Sequence, residues 1–277
     1  MKNTIKKVLP LVFVVFAGIV GGILRGMELT LCYDDTTGLY TSGPVTYFLL
    51  GLSTVIAVLC LLLALMKNRD RRPYTVLYRC GVPGTMLCML AGVVMAAAGL
   101  MRAADFFNGG VYSSLLFGIL TILCGVSLIA LSAARKQGKI PMMTGFGAVV
   151  TVFWGCFMLV LVFMEHPVEP VELLYAYDLL AMCCALLSIY GAAGQIFGRD
   201  RMRIALFSSL CAVFLLLVSG FGRFMTFIYT GSTYYMTQVD FRMVVYAALL
   251  FYCMSNAASL LVNAGAADLE NGRLQDV

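Results

Sequence analysis

The stretch VLPLVFVVFAGIVGGILRGMELTLCYDDTTGLY, residues 8–40, decides how the chain is read. Residues 8–29 form an apolar run, and a helix that crosses a bilayer needs about 20 such residues. The run is interrupted near its end by Arg25 and Glu28, and an acidic, turn-like string, Asp34-Asp35-Thr36-Thr37-Gly38, follows. The basic residues Lys2, Lys6 and Lys7 precede the run, as they would in a signal peptide. The core is long and no A-x-A-like cleavage site follows it, so it reads as an uncleaved first span.

The rest of the chain repeats the pattern. Of 277 residues, 61% are hydrophobic and 12% are charged. A soluble domain carries roughly 25% charged residues, and at this length it could not bury so much apolar surface. The solvent for that surface is therefore lipid. Seven further stretches qualify as spans, at about 46–66, 82–101, 111–133, 141–164, 174–196, 204–229 and 241–262. The fold class expected is all-α and polytopic, with eight transmembrane helices in four antiparallel hairpins. The whole of 1–277 reads as one transmembrane domain with no soluble domain attached.

Charge sets the expected orientation. Lys2, Lys6 and Lys7 lie at the N-terminus, and Lys67, Arg69, Arg71, Arg72 and Arg79 follow span 2. Arg135, Lys136 and Lys139 follow span 4, Arg199, Arg201 and Arg203 follow span 6, and Arg273 lies in the tail. Fifteen of the nineteen basic residues thus fall on one side, which the positive-inside rule makes cytoplasmic. Both termini are then cytoplasmic, in a cell membrane. Nine of the fourteen acidic residues fall on the other side. The net charge of +5 is topological and implies no nucleic-acid partner. Tyrosines such as Tyr33, Tyr40, Tyr47, Tyr112, Tyr175 and Tyr177 collect near the outer loops, as an interfacial belt would.

The outer ends of the odd-numbered spans resemble one another: ILRGMEL (23–29), LMRAADF (100–106), VLVFMEH (160–166) and FGRFMTF (221–227). Arg25-x-x-Glu28 is matched by Arg102-x-x-Asp105. The third window keeps only Glu165, and the fourth keeps Arg223 with Thr226 in the acidic place. Weak internal similarity of this kind is common in transporter folds. Residues i and i+3 share a helix face, so each pair sets a cation beside an anion. An ion at the membrane centre costs at least ~3 kcal/mol on insertion scales, so these groups should face the bundle or a wet cavity. Asp178, in LLYAYDLLAM, adds a carboxylate near the same boundary.

Two readings follow. In the first, Arg25, Glu28, Arg102, Asp105, Asp178 and Arg223 line an outward-facing charged vestibule of a small permease or ligand-binding protein. Its arginines contact a small anionic or amphiphilic solute or a lipid headgroup. In the second, the same residues are structural salt bridges in a non-catalytic membrane scaffold or assembly protein, whose partner is another membrane protein. In both the lipid bilayer is a partner.

Catalysis has little foothold. The sequence has no H-E-x-x-H, G-x-S-x-G or Walker A motif and no G-x-G-x-x-G in the required context, so no catalytic residue is expected. Eight of the ten cysteines lie inside apolar runs, where they serve as small packing residues; only Cys32 and Cys80 fall in loops. With no C-x-x-C and one histidine, His166, no metal or other cofactor is expected. Gly18-x-x-x-Gly22 and Gly92-x-x-x-Ala96 are small-residue patterns that let helices approach closely. Gly220 and Gly222 are candidates for a kink that places Arg223. Trp154, mid-span, should face the bundle, while Ser255, Asn256 and Gln195 should hydrogen-bond between helices.

Overall fold

A computed structural model describes residues 2–34, 39–40, 43–67, 73–107, 112–138, 141–164, 175–199, 201–230 and 236–263. The loop of Glu165, His166, Glu169 and Glu172 lies outside these residues, as do Asp35, Asp70, Asp200 and the tail. The described chain is helical but for one two-residue ladder. In order it runs α1 (Lys2–Leu31), β1 (Tyr33–Asp34), β2 (Leu39–Tyr40), α2 (Pro44–Met66), α3 (Tyr74–Leu77), α4 (Val82–Phe107), α5 (Tyr112–Gln137), α6 (Met142–Met164), α7 (Ala176–Ile196), α8 (Met202–Thr230) and α9 (Met236–Asn263).

All the helices except the single-turn α3 are long and apolar enough to cross a membrane, eight in all. Their bounds follow the apolar runs, and α1, α4, α5 and α9 each overrun them by several residues at one end. α4 continues through Arg102 and Asp105, and α5 continues through Arg135 and Lys136. A helix ends where its backbone bonding ends, and a salt-bridged or hydrogen-bonded charge is compatible with one more turn. The string after α1 is not a bare turn: Tyr33 pairs with Tyr40 and Asp34 with Leu39, antiparallel.

Six helices close a ring. α4, α5, α6, α7, α8 and α9 each pack on the next, and α9 packs back on α4. α1 lies outside the ring against α8, which it contacts far more extensively than its sequence neighbour α2. α2 rests on α1 and α8. α8 and α9 are the most enclosed spans, and α2 is the least. Large apolar side chains face outward along α2 (Phe48, Val55, Leu62) and α6 (Phe146, Phe153, Phe157). A bilayer is the solvent that such surfaces fit.

The tightest seam is between α4 and α5. A Cβ added at Gly125 would lie 2.6 Å from the Ala96 backbone nitrogen, and one at Gly92 would lie 2.8 Å from the Gly125 carbonyl. One turn-pair along, a Cβ at Gly118 would meet the Ala103 backbone nitrogen at 2.7 Å. In lipid, close backbone approach replaces the hydrophobic effect as the source of helix association. Gly22 plays the same part between α1 and α8, where an added Cβ would lie 3.1 Å from the Leu217 carbonyl. α8 passes Gly220 and Gly222 as one unbroken helix. Gly222 leaves room for the Arg25 side chain, whose Cγ would lie 2.6 Å from an added Cβ.

Trp154 is fully buried and its Nε1 donates to Thr121 Oγ1 at 2.9 Å, joining α6 to α5. Trp154→Phe removes that donor and leaves a cavity where the second ring of the indole stood, while Thr121 keeps its bond to the Phe117 carbonyl at 2.8 Å. A loss of about 2 kcal/mol in a reversible unfolding assay is expected.

Candidate functional site

Charged side chains gather at the two ends of the bundle. One end holds the C-terminal parts of α1, α4 and α8 with the N-terminal parts of α7 and α9; it is called the Arg25 end below. The opposite end holds the start of α1 and the end of α9, tied by Lys7 Nζ donating to the Val262 carbonyl at 3.1 Å.

At the Arg25 end each of the three anticipated arginines meets a carboxylate. Arg25 and Glu28 are bonded to each other on one face of α1 and are almost sealed, with side-chain exposures of 5% and 1%. The Arg25 guanidinium lies 4.9 Å from the centre of the Tyr177 ring, and the Ser53 hydroxyl donates to the Tyr177 hydroxyl at 3.5 Å. Arg102 Nη1 lies 3.4 Å from Asp105 Oδ2 on α4, and these side chains are 35% and 54% exposed. Arg223 on α8 donates to Asp178 on α7, a pair that no local spacing could announce.

The Asp178–Arg223 pair is lopsided. The carboxylate side chain is 4% exposed and the guanidinium side chain 21%. Part of the Arg223 side chain is thus accessible, while its Asp178 partner is sealed. Gly222 and Tyr177, next in sequence to these two residues, touch Arg25, so the α1 pair and the α7–α8 pair are neighbours.

α9 links this group to Arg102. The Phe241 ring lies 5.6 Å from the Arg102 guanidinium. Arg242, a residue not singled out from the sequence as part of a site, is buried within electrostatic reach of Arg102 and Tyr246. Tyr246 in turn is close to Asp178, Arg223 and Arg242. α9 thus brings Phe241 and Arg242 close to Arg102, and Tyr246, one turn further on, close to Asp178 and Arg223. Thr226, in the acidic place of the fourth window, donates back to the Gly222 carbonyl at 3.0 Å.

The opposite end holds a group that sequence reasoning missed. Arg135 reads as one of a cytoplasmic loop cluster, but it lies in the last turn of α5 and is fully buried. Its Nε donates to the Tyr74 hydroxyl at 2.8 Å. Nη1 donates to Ser255 Oγ at 3.4 Å and Nη2 to Asn256 Oδ1 at 2.7 Å. The rings of Tyr74, Tyr78 and Tyr252 lie 5.7, 5.2 and 5.4 Å from the guanidinium, and Tyr74 and Tyr78 stack on each other. No carboxylate pairs with Arg135 among the described residues. Neutral oxygens and aromatic faces offset only part of the cost of burying a charge. Its position at a helix C-terminus adds some stabilisation. The one available signal was the tyrosine pair, Tyr74 and Tyr78, in an otherwise basic loop.

From Arg135 a hydrogen-bonded chain runs inward. Asn256 Nδ2 donates to Ser188 Oγ at 3.2 Å, and Ser188 bonds Ser209 Oγ at 2.7 Å, which donates to the Ala205 carbonyl at 2.6 Å. Ser255 and Asn256 thus bond between helices as anticipated. Gln195 is buried, yet its amide atoms find no partner among the described residues. Cys80 does not stand loose in its loop: its Sγ lies 2.8 Å from Ser259 Oγ.

Cations frame this end. Lys67 Nζ donates to the Leu261 carbonyl at 3.5 Å, and Arg203 Nε donates to the Lys67 carbonyl at 3.1 Å. Burial, and then the charge of Lys7, pushes the Lys67 ammonium below its ordinary pKa. No cluster of three or more His, Cys, Asp or Glu side chains suited to a metal ion occurs among the described residues.

No protein-family model, no curated protein and no solved structure matches the chain. Eight apolar helices fit a multi-pass membrane protein.

Proposed function

We propose that this protein is a small permease or solute-binding membrane protein that takes a small anionic or amphiphilic solute at the Arg25 end. In this reading the helices form four hairpins in the cell membrane, both termini are cytoplasmic, and the Arg25 end faces outward. Arg102 and Arg223 contact the anion, with Asp105 and Asp178 orienting them. Arg25 and Glu28 fix α1 against α8 and hold the floor of the site.

The observation that carries the reading is the lopsided Asp178–Arg223 pair. A purely structural pair in a membrane bundle has no need to leave its arginine side chain partly accessible. An arginine has five N–H donors, and one carboxylate occupies two at most, so a held arginine can still receive a second anion. Anion entry would compete with Asp178 for Arg223 and so loosen the α7–α8 contact, which couples binding to helix movement.

A second reading, the membrane scaffold, is favoured by one fact: Arg25, Arg102 and Arg223 each already have a carboxylate. Native mass spectrometry of the full chain, wild type and Arg102→Gln, separates the two. The permease reading expects a bound anionic species that the variant loses. Identical spectra at unchanged stability would remove Arg102 from any site and leave the scaffold.

A further inference from the structure

The tyrosine cage around Arg135 has the makings of a second site, at the end opposite the proposed vestibule. Three bonds to Tyr74, Ser255 and Asn256 leave one N–H on each terminal nitrogen of Arg135. Beside it, the Tyr78 hydroxyl is fully buried and has no hydrogen-bond partner among the described residues. Two independent features thus want the same thing. A guanidinium without a carboxylate among the described residues needs a negative charge, and a stranded hydroxyl needs an acceptor.

We propose that the cluster formed by Arg135, Tyr74, Tyr78, Ser255 and Asn256 binds a phosphate group. Two neighbouring side chains keep three donors in reserve, two N–H groups of Arg135 and the Tyr78 hydroxyl. A tetrahedral oxyanion can offer a separate oxygen to each, whereas a carboxylate has only two. The rings of Tyr74, Tyr78 and Tyr252 exclude water and strengthen the charge interaction. Lys7, Lys67 and Arg203 lie at the same end of the bundle and would draw an anion toward it. The polar chain Asn256–Ser188–Ser209 ties the occupied guanidinium to α7 and α8, the helices that carry Asp178 and Arg223. The phosphate could belong to a free ion or to an anionic lipid headgroup, since the chemistry of recognition is shared.

The test uses the full chain in nanodiscs and follows its thermal midpoint. Inorganic phosphate is titrated into nanodiscs of phosphatidylcholine; in parallel, phosphatidylglycerol is mixed into the nanodisc without phosphate. The proposal expects a rise of about 5 °C from one of the two, at about a hundredfold excess over Kd. Tyr78→Phe, which keeps ring and packing, should weaken the response about tenfold, and Arg135→Lys should abolish it. A response to phosphate alone assigns a free ion, and one to phosphatidylglycerol alone assigns a headgroup; either supports the site. No response in the wild type, or an undiminished response in Tyr78→Phe, overturns it. So does a response lost in Arg102→Gln and kept in Tyr78→Phe, which would place the anion at the Arg25 end. Asp70, four residues before Tyr74, lies outside the described residues. If Asp70→Asn destabilises the protein as much as Arg135→Lys does and phosphate has no effect, the chain supplies its own counter-charge and the proposal fails.

Discussion

Asp178→Asn is expected to destabilise the protein by about 3 kcal/mol, because it leaves the Arg223 cation facing a neutral amide inside the bundle. The cost lies mainly in the stranded charge and not in the lost attraction. Removing both charges should therefore be milder than removing one. Asp178→Asn with Arg223→Gln is expected to recover about 2 kcal/mol relative to the sum of the single changes. Arg223→Gln alone should be severe as well, since it abandons the more deeply buried carboxylate. A double-mutant cycle by reversible unfolding in detergent reads all four corners. Additive losses would mean that the pair does not bond across α7 and α8, and the geometry of the Arg25 end would need rebuilding.

Gly125→Leu should be more damaging still. Its Cβ would fall 2.6 Å from the Ala96 nitrogen and 2.7 Å from the Gly92 carbonyl, both backbone atoms that cannot rotate away. α4 and α5 would have to separate. That opens the seam on both sides of Gly125, because Gly92, Gly99 and Gly118 rely on the same approach. A loss of about 3 kcal/mol or more is expected, seen as low yield and a broadened unfolding transition. Gly51 supplies the control. It sits on α2 with nothing within 4 Å of an added Cβ, so Gly51→Ala should be neutral or slightly stabilising. Equal effects at both positions would argue against backbone contact between α4 and α5.

These two predictions also mark what could be read in the sequence. The spans were legible because lipid leaves a chain few options: backbone polar groups must be satisfied within a helix, and the helix must be long and apolar. The pairs Arg25–Glu28 and Arg102–Asp105 were legible because i and i+3 share a face in any helix. Gly22 and Gly92 were legible as sites of close approach. The partner of Arg223 was not, since Asp178 lies 45 residues away and reaches it only through the packing of α7 on α8. Packing of α1 on α8 was equally hidden, because small residues say that a helix has a close neighbour but not which one. Arg135 was misread for a different reason. The positive-inside rule counts arginines near span ends without regard to the direction in which they point, and this one points inward.

An anion site at the Arg25 end requires that water and solute reach Arg102 and Arg223. Sided cysteine labelling tests that directly. Arg102→Cys and Arg223→Cys are treated, in intact cells and in permeabilised ones, with a charged, membrane-impermeant thiol reagent, against the wild-type cysteines as background. Labelling of both variants in intact cells, above that background, is the predicted result, and Arg25→Cys should remain unlabelled. Labelling of Arg102→Cys and Arg223→Cys only after permeabilisation, or not at all, would contradict an outward-facing charged site.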